Sequence, residues 1–281
     1  MIRIVTDTTS GLPLHQAVEL DIPVLPQIII FGEESYRDDT ELDTAAFLEK
    51  LRASPVLPKT AAPPPALFTP VFERLVAEGD TIICLHPSTE LSGTVRSATV
   101  AAQDFPDANI RVVDTRTIAG PLATMVLQAD RWAREGMDAD TIVERVRDLM
   151  ARQRVFFVVD TLEYLHKGGR IGGAQALLGG LLQVKPILTL EDGRVEPLEQ
   201  QRTKRRALAR LRELVLEGCP RSPDALLCVM HADAEAEAQA LAADFADALG
   251  LSEVPIYLLP PAIVVHAGPG VLAAGYFAAP S

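Results

Sequence analysis

Short apolar runs alternate with helix-length amphipathic stretches along almost the whole chain, and few folds accommodate that alternation. Strand patterns are read at 2–6, 24–31, 81–85, 110–114, 155–160, 184–190, 225–230 and 255–259. Helical patterns are read at 44–53, 66–78, 92–105, 121–135, 140–152, 203–217 and 234–249. Strands that alternate with helices of this length predict parallel sheets covered by helices on both faces. The chain has 281 residues, enough for one large domain or two of ordinary size. Gly136 reads as the glycine that closes one helix and Asp138 as the cap of the next. The helix from 140 then closes the first half, which divides the chain into 1–155 and 156–281. One segment differs in texture: Lys59-Thr60-Ala61-Ala62-Pro63-Pro64-Pro65 reads as stiff and extended, leading into a helix.

Three strand ends in the first half carry hydroxyl chemistry. They are Thr6-Asp7-Thr8-Thr9-Ser10-Gly11, the stretch LHPSTELSGTVRSA at 85–98, and Asp114-Thr115-Arg116-Thr117. In an open parallel sheet the carboxyl ends of the strands share one edge, where ligands bind in α/β folds. Helix N-termini at that edge offer free N–H groups and partial positive charge. Each cluster has an ordinary alternative as a set of helix caps. Ser92, read as the cap before the helix, serves either purpose. Asp7 and Asp114 read as loop-ordering residues.

The sequence also excludes much. GxxxxGK[ST] is absent, and Glu90 occupies the first glycine position of a GxSxG elbow around Ser92. Gly268-Pro269-Gly270-Val271-Leu272-Ala273 matches a dinucleotide pattern, but too little chain follows to complete the βαβ unit. The five histidines show no HExxH or other metal spacing. No cofactor or metal is therefore expected. The net charge of −12 argues against nucleic acid as a partner. No run of eighteen apolar residues occurs, so no stable membrane insertion is expected. An early acid and three cysteines without CxxC spacing fit a cytoplasmic protein with reduced thiols, Cys84 and Cys228 being core residues.

The motifs taken in order resemble those of the DegV family of fatty-acid-binding proteins. Val5-Thr6-Asp7-Thr8-Thr9-Ser10-Gly11-Leu12-Pro13 is similar to the family's opening motif. Tyr36-Arg37-Asp38-Asp39 and Phe47 fall where it has a short acidic turn and helix. Lys59-Thr60 with Pro63, Leu91-Ser92-Gly93-Thr94 and Val113-Asp114-Thr115 follow in register. The second half adds Asp160-Thr161-Leu162, Lys167-Gly168-Gly169-Arg170-Ile171, Lys185-Pro186-Ile187-Leu188, Arg202-Thr203 and His266-Ala267-Gly268-Pro269-Gly270. No single motif is specific, but the collinear set is.

The resemblance implies two α/β domains, the first with a Rossmann-like parallel sheet, and a long-chain fatty acid such as palmitate enclosed in a tunnel between them. It implies that Thr60, Ser92 and Gly93 hold the carboxylate and that His266 orients the same polar network. Some members carry the fatty acid to a separate ATP-dependent kinase subunit, which implicates Arg170 and Arg202 in docking that partner. The chain would then be a carrier and not an enzyme. Where the family has serine and glutamine after the threonine, this chain has Ala61 and Ala62, and Pro64 replaces a serine. The head-group network must therefore differ.

Elementary physics is compatible with such a ligand. Each buried methylene contributes roughly 0.8 kcal/mol, so the tail supplies most of the affinity. The carboxylate needs hydrogen bonds where it loses water, and hydroxyls and helix N–H groups supply them without a lysine. Residues 28–31, 125–127 and 176–182 are apolar enough to line a tunnel, or simply to be core. The rival readings are a stand-alone α/β enzyme acting on a small anionic metabolite, and an interaction protein whose hydroxyl loops are only caps.

Overall fold

The computed structural model describes residues 1–178 and 184–280. It forms two compact units, Met1–Ala151 and Arg152–Ser281. The expected division at 155/156 would cut a strand, Gln153–Val158, that pairs wholly within the second unit, so the division falls just before it.

The first unit runs β1 Ile2–Asp7, α1 Leu14–Glu19, β2 Val24–Leu25, β3 Ile28–Phe31, β4 Glu34–Arg37, α2 Thr44–Ala53, β5 Lys59–Ala61, α3 Pro65–Ala77, β6 Thr81–His86, α4 Thr94–Ala102, β7 Ile110–Asp114, α5 Gly120–Arg134 and α6 Ala139–Arg152. Its main sheet has the order β2-β1-β6-β7 and is parallel throughout. Val5, Ile82 and Cys84 bury one face of it under Phe68, Phe72 and Leu75 of α3 and Ala98 and Ala101 of α4. Successive strand residues point to opposite faces, and α5 packs against β1 and β6. Asp138 caps α6 by accepting from the Thr141 N–H (3.0 Å) and hydroxyl (2.6 Å).

The apolar run 24–31 is two strands, not one. Pro26 brings no N–H, and the Gln27 N–H is taken by the Asp38 carboxylate at 2.8 Å. The ladder therefore breaks, and β3 joins a second, antiparallel sheet of order β4-β3-β5. Lys59–Ala61, the start of the segment read as stiff and extended, is β5 in that sheet. Pro65 then opens α3 at a position where no backbone donor is needed.

The second unit runs β8 Gln153–Val158, α7 Glu163–Lys167, β9 Lys185–Glu191, β10 Arg194–Gln201, α8 Lys204–Gly218, β11 Cys228–His231, α9 Glu235–Leu249, β12 Ile256–Leu258, α10 Pro261–Ala267 and β13 Leu272–Phe277. The sheet order is β10-β9-β8-β13-β11-β12. Among the described residues only β11 and β12 pair in parallel there, which corrects the expectation of parallel sheets throughout. Two local features explain the difference. Asp192 and Gly193 both take positive φ, the geometry of a tight hairpin turn, and so fold β10 back on β9. β13 is wholly buried between β8 and β11 although Leu-Ala-Ala-Gly-Tyr-Phe has weak strand propensity. Ala207, Leu211 and Val215 of α8 and Ala238, Ala242, Phe245 and Leu249 of α9, spaced three to four apart, seal one face of this sheet.

The apolar stretches considered as tunnel lining divide in burial. Ile29, Met125 and Val126 are fully buried, whereas Leu178 is exposed; residues 179–182 lie outside the described residues. Cys84 and Cys228 are buried as expected. Burial raises both thiols, Cys228 to about 12.

Candidate functional site

Parallel pairing brings the expected strand ends together. Asp7 ends β1, His86 ends β6, and Asp114 pairs with His86 at the end of β7. Asp7 is fully buried and is the acceptor around which the edge is built. Its Oδ1 accepts from the Thr9 N–H (3.0 Å), the Thr9 hydroxyl (2.5 Å) and the Gln27 side-chain amide (3.0 Å). Its Oδ2 lies 2.8 Å from His86 Nδ1. The Gln27 amide also donates to Thr94 Oγ1 at 2.9 Å, and Thr94 Oγ1 lies 2.8 Å from Ser92 Oγ. An unbroken chain of polar contacts thus runs from His86 to Ser92. At the neighbouring loop, Asp114 accepts from the Thr89 hydroxyl (2.6 Å) and the Arg116 N–H (2.9 Å), a loop-ordering role as read from the sequence.

Asp38 forms a second buried centre. One oxygen accepts from the Thr8 hydroxyl and the Gln27 N–H, both at 2.8 Å. Burial nonetheless dominates and pushes its carboxyl up to about 7.

Ser92 is not the cap of α4. Its own N–H bonds to the Ser88 carbonyl (2.9 Å), closing a turn over 88–92, and Gly93 takes the cap position without a side-chain bond. The helix therefore begins at Thr94, which leaves the half-buried Ser92 hydroxyl outside it. A Cβ built on exposed Gly93 would sit 3.6 Å from Ala62 Cβ, so the segment carrying Thr60 lies against the Ser92 loop. Thr60 is half-buried in β5, opposite Ile29. The structure therefore places Thr60, at the centre of β5, and Ser92 and Gly93, in the loop before α4, on adjoining segments of the first unit.

In the second unit the mixed sheet also gathers its loops on one edge. The end of β8 pairs with the starts of β9 and β13, and the end of β10 with the start of β9. The segments carrying Arg170, Arg202 and His266 all emerge there. They interlock through glycine. A Cβ on Gly168 would overlap His266 Nδ1, one on Gly268 would strike the Tyr164 ring, and one on Gly270 would overlap the Asp160 carboxylate. Gly268 and Gly270 also hold φ of +80° and +77°. Lys204 ties the same turns together, 2.9 Å from Asp160 Oδ1 and donating to the Gly270 carbonyl at 3.0 Å.

Arg170 curls back to donate to the Gly168 carbonyl at 2.7 Å, and burial lowers its pKa. Burial, with the Arg170 charge second, pushes the His266 imidazole down to about 4, so it is neutral at pH 7. Arg202 is exposed immediately before the Thr203 cap of α8.

Sequence reasoning missed Gln27, His86 and the acceptor role of Asp38. His86 could have been found as the polar residue that ends an otherwise apolar strand. Gln27 carries no such signal, because it sits inside a run that reads as one continuous strand. Among the described residues no group of three or more His, Cys, Asp or Glu is placed to hold a metal ion, and no helix is long and apolar enough to cross a membrane.

Comparison with known proteins agrees with this architecture. A DegV domain-containing protein of Streptomyces coelicolor is 39% identical over 274 residues, 96% of each chain. The structure of a fatty-acid-binding DegV family protein from Thermus thermophilus matches with a TM-score of 0.88 at 34% identity, covering 99% of both chains. That of DegV, a fatty acid binding protein from Bacillus subtilis, matches with a TM-score of 0.90 at 29% identity, again over 99% of both. The family model described as "Uncharacterised protein, DegV family" spans residues 1–279, and the chain belongs to the DegV family.

Proposed function

We propose that this protein binds a long-chain fatty acid such as palmitate and carries it, with the carboxylate held by Thr60, Ser92 and the open face of Gly93. The observation that carries this reading is the uncharged hydroxyl of Ser92, held outside its helix at the end of a buried hydrogen-bond chain. A hydroxyl there can donate to a carboxylate without neutralising it. His266, neutral at pH 7, is assigned an orienting role toward the same head-group. Fatty-acid-binding relatives of the same fold and family support the choice of ligand.

The rival reading, a stand-alone α/β enzyme acting on a small anionic metabolite, has a serine, a histidine and a carboxylate at this edge, but they are wrongly connected for nucleophilic catalysis. Ser92 reaches Asp7 and His86 only through Thr94 and the Gln27 amide. An amide cannot act as a general base at neutral pH, whereas an activated serine needs its base within hydrogen-bond reach. That geometry favours a carrier over an enzyme.

The finer reading is a cytoplasmic carrier that presents the acid to an ATP-dependent fatty acid kinase subunit. Exposed Arg202, with Arg170, is the cationic group assigned to that encounter.

The test is lipid extraction from purified protein with mass spectrometry, followed by titration of delipidated protein with palmitate. Ser92→Ala should weaken binding by about 10- to 100-fold, the weight of one hydrogen bond to a charged group; unchanged binding removes the assignment. Arg202→Ala should leave palmitate binding intact and lower acyl phosphate formation by an added kinase subunit.

A further inference from the structure

We propose that Gln27 is the positioning residue that fixes the direction of the Ser92 hydroxyl, making this loop select a carboxylate over an uncharged head-group on the same tail. The inference rests on the fatty-acid reading above and adds to it the origin of head-group selectivity.

Asp7 Oδ1 is an acceptor, because the Thr9 main-chain N–H facing it at 3.0 Å can only donate. Gln27 is 3% exposed, and its side-chain nitrogen stands 3.0 Å from Asp7 Oδ1 and 2.9 Å from Thr94 Oγ1. The opposite amide orientation would set a carbonyl oxygen against the carboxylate. Asp7 therefore fixes the amide, and its two N–H groups go one to Asp7 and one to Thr94.

Thr94 Oγ1 accepts from Gln27 and lies 2.8 Å from Ser92 Oγ, a distance at which either hydroxyl could donate. Accepting a hydrogen bond polarises the Thr94 O–H and makes it the better donor of the two. Its proton goes to Ser92 Oγ. The Thr94 N–H approaches the same oxygen at 3.4 Å. The hydroxyl and the N–H of Thr94 thus both give to Ser92, and its own O–H is directed out of the network. A loop ending in an outward O–H favours an anionic acceptor, because hydrogen bonds to ionised groups are roughly twice as strong as neutral ones.

Substituting the Gln27 side chain leaves its main-chain anchors in place. The N–H bonds to Asp38 Oδ1 (2.8 Å) and Thr8 Oγ1 (3.1 Å) belong to the backbone. With Met at 27, the Thr94 and Ser92 hydroxyls can exchange donor and acceptor roles, and the outward O–H is no longer enforced.

The experiment uses delipidated full-length protein titrated with palmitate and with hexadecan-1-ol. The wild type should prefer palmitate. Gln27→Met and Thr94→Val should each weaken palmitate binding by about tenfold while leaving hexadecanol binding within about twofold. Thr94→Ser should restore the wild-type ratio, and Gln27→Met added to Ser92→Ala should cost nothing further. Equal loss for both lipids, or additivity with Ser92→Ala, overturns the relay. Should Gln27→Met not fold, Thr94→Val against Thr94→Ser decides alone. A wild type that prefers palmitate while both variants keep that preference overturns the relay only. A wild type that holds neither lipid overturns the fatty-acid reading and the relay together.

Discussion

The two units build their polar edges by opposite means. The first gathers a main-chain N–H, a hydroxyl, a side-chain amide and an imidazole around one buried carboxyl group, Asp7, at the ends of parallel strands. The second packs turns into one another through missing side chains at Gly168, Gly268 and Gly270, and adds Lys204 and Arg170 at the rim. The first edge is held by hydrogen bonds out of water and the second mainly by steric fit. The same residue change should therefore cost very differently in the two places.

Removing the acceptor should show this most strongly. Asp7→Ala leaves the Thr9 N–H and hydroxyl and the Gln27 amide without their acceptor, and takes the polar partner from His86 Nδ1. Each orphaned buried donor costs about 1–3 kcal/mol, so the loss should exceed ~3 kcal/mol in urea unfolding. Trp132, the single tryptophan, lies in the first unit and reports its unfolding by fluorescence. Asp160→Ala removes the partner of Lys204, but that carboxylate is 47% exposed, and the loss should stay below ~1 kcal/mol. Equal losses would show that the second edge is held by charge after all.

Acidity should separate the units next. Asp38 has its carboxyl raised from 3.8 to about 7. Between those values the folded chain holds a proton that the unfolded chain has lost, so this contribution is complete below pH ~4 and falls as pH rises toward 7. His266 is lowered from 6.5 to about 4. In that window the unfolded chain holds the extra proton, so stability falls as pH drops from 6.5 toward 4. Asp38→Asn keeps an oxygen for Thr8 and the Gln27 N–H, and should gain about 2–4 kcal/mol over the wild type at pH 7.5 with little gain at pH 4. His266→Gln should do the reverse, its gain growing to about 2–3 kcal/mol as pH falls to 4. Parallel pH profiles for both variants would break the assignment.

The legibility of the two units from sequence follows the same division. Parallel strands put every carboxyl end on one edge, so the hydroxyl runs after Thr6, Leu85 and Asp114 group together from strand pattern alone. The interior of that edge does not. Gln27 is hidden by Pro26, which breaks the run 24–31 between two sheets, and Ser92 reads as a cap because the turn at Ser88 carries no distinctive residue. In the second unit Asp192-Gly193 signals the hairpin that folds β10 back on β9, yet β13 is a strand by burial and not by propensity. The glycines of this unit are legible as motifs; what each one avoids depends on pairs such as Gly168 with His266, distant in sequence.

Two glycines offer the finest test. Gly168 (φ −77°) and Gly93 (φ −79°) both have backbone conformations that alanine adopts without strain, so only space distinguishes them. At Gly168 the new Cβ would overlap His266 Nδ1 and lie 2.9 Å from the Tyr164 carbonyl oxygen, and backbone does not yield cheaply. Gly168→Ala should cost about 1–3 kcal/mol, as overpacking does, and should displace the imidazole. At Gly93, among the described residues, the one neighbour within 4 Å is Ala62 Cβ at 3.6 Å, an ordinary contact. Gly93→Ala should stay within about 0.5 kcal/mol of wild type or gain slightly, because alanine reduces the freedom of the unfolded chain. Palmitate titration then gives that neutrality a meaning. Weakened binding by a variant of undiminished stability would show that the space above Gly93 belongs to the head-group. Unchanged binding would leave the grip to Ser92 and Thr60.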